Sequence, residues 1–135
     1  MRQETNVLNQ TVPIALRTWF VVHFIADIIF AIPLMIAPRF TLELMGWQTV
    51  DVLSARIVAA ALFGIGIESY LGRNSGKEAF IGMLNLKIIW SVAVIVGGTV
   101  SMLEGAQGRP PMAWGLIIIF ALFNVVWIYW RRKLT

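Results

Sequence analysis

The 135-residue sequence has no cysteine and a single histidine. Without cysteine the chain forms no disulfide, offers no thiolate to a metal and supports no thiol redox chemistry. One imidazole excludes a metal site built from several histidines of the same chain, and no metal site is expected. Charge is scarce too: Asp, Glu, Lys and Arg make up 13% of the residues, where a soluble domain carries about a quarter. No phosphate-cradling glycine loop, G-x-S-x-G elbow, H-E-x-x-H motif or lipid-attachment cysteine is present. No catalytic residue is therefore assigned, and the chain is read as a non-enzyme.

What is abundant is apolar. Hydrophobic residues reach 59% and mean hydropathy is +0.78. The 11 basic and 7 acidic side chains are too few to cover a soluble surface, which excludes a soluble enzyme or a disordered chain. The length suits one domain. Four apolar stretches, 18–37, 52–71, 79–102 and 113–130, each match a hydrocarbon core of about 30 Å at 1.5 Å per residue. Backbone groups in lipid must be satisfied within the segment, so these are helices. The expected fold is all-α: one polytopic membrane domain, residues 1–135, with four transmembrane helices in an antiparallel bundle.

Pro38-Arg39, the turn cluster Gly72–Lys77 and the Gly/Pro-rich run 105–111 separate the helices. The second and third connections are short, which predicts antiparallel neighbours across each. Phe40–Trp47 in the longer first connection fits one or two interfacial helical turns, with an ordinary solvated loop as the alternative. Residues 1–12 are mostly polar and contain no short apolar core with a small-residue cleavage site, so no secretory signal is expected.

Orientation follows from basic residues. Arg2, Arg17, Arg73, Lys77, Arg131, Arg132 and Lys133 share one side, seven against the two of Arg39 and Arg109. The positive-inside rule then places both termini in the cytoplasm and the protein in the cytoplasmic (inner) membrane. The high pI reports this topology. It is no nucleic-acid footprint, because no soluble basic face exists.

Polar residues inside the spans are the candidates for function, since lipid makes them costly. They are His23 and Asp27 on the first helix, Glu68 on the second, Asn85 and Lys87 on the third and Asn124 on the fourth, with Arg56 alone in the outer half. His23 and Asp27 are four residues apart and share a face. His23, Asp27, Glu68, Lys87 and Asn124 fall in one layer of the cytoplasmic half, with Asp27 about 14 Å deep. A small-residue stripe, Ala60 and Gly64, is expected to turn Glu68 into the bundle. Lys87 is then the counter-ion for Asp27 or Glu68, or else snorkels to the interface.

The run Ala55–Gly66, an arginine followed by small residues and G-x-G, resembles the second-helix pattern of the DoxX-like and related four-helix membrane families. Ala37-Pro38 through Leu44-Met45-Gly46-Trp47 is similar to their first extracytoplasmic loop. The likeness covers about the first 70 residues. It implies a four-helix bundle, with Arg56 as the family-like position, and carries no catalytic role.

The expected function is a non-catalytic membrane subunit or accessory protein of a larger complex, with the lipid bilayer and homo- or hetero-oligomeric membrane proteins as partners. Two alternatives stand beside it. One is an oligomeric transporter or channel using the polar layer. The other is a redox or pigment-binding subunit with His23 as axial ligand to haem or chlorophyll; otherwise no cofactor is expected.

Overall fold

A computed structural model describes residues 12–105 and 108–135. The polar N-terminal residues, Arg2 among them, lie outside the described residues. Among the described residues five α-helices form: α1 (Ile14–Ile36), α2 (Pro38–Leu44), α3 (Val52–Leu71), α4 (Lys77–Leu103) and α5 (Pro111–Lys133). A 3-10 turn, Gly72–Asn74, joins α3 to α4. No strand occurs among the described residues. All but α2 are long and apolar enough to cross a membrane. The chain is an integral membrane helical bundle, with large apolar side chains such as Ile29, Ile57, Ile89 and Ile118 turned outward.

The helix ends follow from local chemistry. Pro38 and Pro111 each occupy the first turn of their helix, where a missing N–H is harmless and a fixed φ is already helical. Asp51 caps α3, accepting from the backbone N–H groups of Leu53 at 2.9 Å and Ser54 at 3.2 Å. The Ser54 hydroxyl donates to its other oxygen at 2.8 Å. That hydroxyl first, then the backbone donors, hold the Asp51 carboxyl below its ordinary value. Arg109 donates to the carbonyls of Met102 at 3.1 Å and Leu103 at 3.2 Å, satisfying the last turn of α4. The predicted turns at 40–47 are realised as α2, followed by a left-handed Gly46 at φ 98°.

The helices associate as two close pairs, α1 with α3 and α4 with α5. α3 and α4, joined by the short second connection, are neighbours at wider spacing. Their short connection does return the chain, but the Met83 and Lys87 side chains stand between them. Small residues bring α3 onto α1 instead. The buried face of α3 is Ala55, Ala59, Leu62, Gly66 and Ser69, spaced as one helical stripe. Ala60, Gly64 and Glu68 lie on the exposed side. The expected stripe was rotated because α3 carries small residues on two faces, and only one matches α1. Gly98 on α4 likewise lies against Ile117 of α5.

The two ends of the bundle differ. At the end carrying the 72–76 turn and the C-terminus, Leu16, Phe20, Phe80, Leu84, Trp127 and Leu134 form one buried cluster. Phe20 packs on Phe80 at 4.6 Å between centroids and meets Trp127 edge-on at 5.8 Å. Arg17 locks the turn there, donating to the carbonyls of Arg73 at 2.7 Å and Ser75 at 3.2 Å. Among the described residues the α2 end has no comparable buried cluster.

The face of α3 is directly testable. A Cβ at Gly66 would stand 2.7 Å from Asp27 Cβ, whereas one at Gly64 meets nothing within 4 Å. Gly66→Ala is expected to destabilise by about 1–3 kcal/mol through overpacking. Gly64→Ala should be neutral or slightly stabilising. Unfolding in detergent checks this, and the opposite ranking would show that α3 is rotated.

Candidate functional site

The site starts from one lysine. Lys87 lies mid-helix on α4 and is 3% exposed. Its ammonium donates to Ser69 Oγ on α3 and reaches His23 Nδ1 on α1 at 3.0 Å. It also sits over the faces of Phe20 at 4.9 Å and Trp127 at 5.2 Å, where ring quadrupoles attract a cation. Burial removes water, and these groups replace it.

The network extends to every spanning helix. Ser69 passes its own proton to the carbonyl of Ile65 at 2.6 Å. Ser91, one turn beyond Lys87, donates to the Lys87 carbonyl at 2.7 Å. Asn124 on α5 donates to Ser91 Oγ at 2.7 Å and to the carbonyl of Ile88 at 3.2 Å. His23 is held by ring edges, 5.0 Å from Phe123 and 5.1 Å from Trp127 between centroids.

Asp27 is the exception. Its Oδ2 lies 3.1 Å from His23 Nδ1. That nitrogen carries at most one proton along this direction. When it accepts from Lys87 it has none to give Asp27. Accordingly no hydrogen bond from any described residue reaches Asp27 Oδ2, although the carboxylate side chain is only 9% exposed.

Above this layer, toward α2, the two helix pairs part. A cavity of about 270 Å³ opens between them, with His23, Asp27, Lys87 and Ser91 in its wall. The remaining wall is almost wholly apolar: Ala26, Phe30 and Leu34 on α1, Val58 and Leu62 on α3, Trp90 and Val94 on α4, and Leu116, Ile119, Phe120, Phe123 and Trp127 on α5. Thr41, Leu42 and Met45 bring α2 and the residue after it over the top. His23 and Leu34 are eleven residues apart on α1, so the cavity runs about 16 Å along the helix. A largely apolar hollow with a few convergent polar groups is the usual form of a small-molecule site.

The sequence-predicted residues divide. His23, Asp27, Lys87 and Asn124 lie in one buried layer, with Ser91 between Lys87 and Asn124. Glu68 does not: it is exposed, on the outer side of the α3 stripe. Asn85 is also exposed and accepts from Arg131 Nε at 2.8 Å. Arg56 lies at the α2 end, exposed, and donates to the Met35 carbonyl at 3.2 Å, bracing α3 against the end of α1. Lys87 turns inward instead of snorkelling, and its aromatic partners are Phe20 and Trp127, with Trp90 in the cavity wall. Ser69 and Ser91 were missed. Their signal was helical spacing: Ser91 follows Lys87 by four residues and Ser69 follows Gly66 by three.

Nδ1 of His23 is committed to Lys87 and Asp27, and Phe123 and Trp127 close on the ring. Among the described residues no three metal-ligating side chains cluster. No protein-family model, curated protein or solved structure matches the chain.

Removing the cation tests the network. Lys87→Met is expected to destabilise by about 3 kcal/mol or more, because Asp27 is left buried without a counter-charge. Adding Asp27→Asn should recover much of that loss. Glu68→Gln and Asn85→Leu should each stay within about 0.5 kcal/mol of wild type, as surface changes do. Unfolding in detergent reads all four; an unaltered Lys87→Met protein would mean that Lys87 is solvated elsewhere.

Proposed function

We propose that the chain is a non-catalytic membrane protein that holds a lipophilic small molecule between its two helix pairs, serving a larger membrane assembly as an accessory subunit. The cavity carries this reading: it is long, apolar and closed at one end by a polar layer. Close-packed interiors leave few hollows of this size. The seven-to-two basic count supports a topology with both termini cytoplasmic, so that the cavity faces the outer half of the cytoplasmic membrane.

A transport pathway is less well supported. Phe20 and Phe80 are essentially fully buried outside the cavity wall and, with Trp127 at the cavity's edge, fill the bundle beyond Lys87. Hydrated ions passing Asp27 would have to cross that aromatic plug. The polar layer also lacks a nucleophile–base–oxyanion arrangement that would make the cavity a reaction site.

Purification into lipid nanodiscs followed by extraction and mass spectrometry tests the proposal. Wild type is expected to retain a lipophilic molecule that bulk lipid does not explain. Ala26→Trp, which fills the cavity from α1, should lose that molecule while remaining folded. Identical extracts from the two proteins would overturn the reading. Proton or cation flux in liposomes that Asp27→Asn abolishes would replace it with an oligomeric channel or transporter.

A further inference from the structure

The unpartnered carboxylate of Asp27 at the polar end of the cavity, beside Lys87 and His23, points to a guest with a neutral hydroxyl head, and we propose that the cavity binds a hydroxyl-bearing lipophile, a long-chain alcohol or a phenol, head-down on Asp27. This rests on the reading of the cavity as a ligand site and specifies its chemistry.

Four observations combine. The first is a missing donor. Asp27 Oδ2 receives no hydrogen bond from the described residues, while the neighbouring polar side chains Lys87, Ser69, Ser91 and Asn124 all have partners. A buried carboxylate oxygen without a donor loses its hydration uncompensated. Oδ2 itself is enclosed beside Gly66 and His23, and rotation about the soft carboxylate torsion brings an oxygen to the cavity that Asp27 lines.

Charge balance is the second. The cavity wall carries one lysine and one carboxylic side chain, Lys87 and Asp27, whose opposite formal charges offset each other. A cationic amine head or an anionic carboxylate head would leave a net charge buried in hydrocarbon, which is costly. A neutral O–H supplies the proton and no charge.

The third is shape. Phe30, Leu34, Val94, Leu116 and Phe120 line the hollow beyond the polar end, and a chain or ring standing on Asp27 would follow them toward α2. The fourth is position. Gly66 lacks the Cβ that would push Asp27 away from α3, so the carboxylate is seated at the bottom of the cavity by backbone contact. Glu68 and the other acidic residues lie outside the cavity wall, leaving Asp27 as its carboxylate.

The test uses three probes of equal chain length in the full-length protein in nanodiscs: a long-chain alcohol, its methyl ether and the parent alkane, each with a photoactivatable group at the tail. The ether keeps the oxygen and lacks the donor. The alcohol is expected to label the α2 end of the cavity, around Leu42 and Leu116, about tenfold more than the ether or alkane, the factor that one charge-assisted hydrogen bond supplies. In Asp27→Leu/Lys87→Met, which removes both charges together, that preference should vanish while labelling by the alkane persists. Equal labelling by all three probes in wild type would overturn the hydroxyl inference, with water then serving as the donor, and would leave the cavity reading standing. No cavity labelling above the lipid-facing background by any probe would overturn both. Should the double variant fail to fold, the wild-type ratio of alcohol to ether decides the matter alone.

Discussion

A lysine ammonium buried among four apolar helices must be solvated by the protein itself, and the architecture is organised around that requirement. Lys87 finds a hydroxyl on α3, an imidazole on α1 and two aromatic faces on α1 and α5. Ser91 and Asn124 extend the same layer to α5. The helix pairs α1–α3 and α4–α5 are each held by close backbone approach. Between the pairs, Lys87 is the polar bridge. Paired buried charges are weak sources of net stability but strong penalties when broken, so the layer specifies how the pairs meet more than it adds to their cohesion.

That bridge divides the molecule into unlike halves. On one side large aromatics meet face and edge, and Arg17 holds the 72–76 turn through two carbonyls. On the other the pairs diverge and α2 covers the gap. A single layer thus serves as the lid of a packed core and the floor of a hollow. Asp27 belongs to the floor. Its Oδ2 lies 3.1 Å from His23 Nδ1, the nitrogen that Lys87 also engages, and receives no hydrogen bond from the described residues. The incomplete satisfaction of the network and the cavity above it are two sides of the same arrangement.

Much of the architecture was legible in the residues. Spans set by hydrocarbon thickness and breaks marked by Pro38, Gly72–Gly76 and Pro110-Pro111 agree with the helices to within a few residues. Depth was legible too, since rise per residue places His23, Asp27, Lys87 and Asn124 in one layer. Rotation about the helix axis was harder to read. With apolar residues on every side, α3 shows no polar face to orient it, and the choice between the Ala60–Gly64–Glu68 and Ala59–Gly66–Ser69 stripes depends on fit against α1. That choice alone decides whether Glu68 or Ser69 meets Lys87. The cavity was not legible at all, because a hollow is defined by what side chains on different helices fail to fill.

The proposed function uses the asymmetry of the halves, with the packed end as anchor and the hollow end as the seat of a guest. An experimental structure of the protein in a lipid nanodisc tests this most directly. The account expects Lys87 Nζ within hydrogen-bond reach of Ser69 and His23, and elongated guest density rising from Asp27 between α1 and α5 toward α2. Lys87 extended to the membrane interface, with Trp90 and Phe120 closing the space above Asp27, would contradict it.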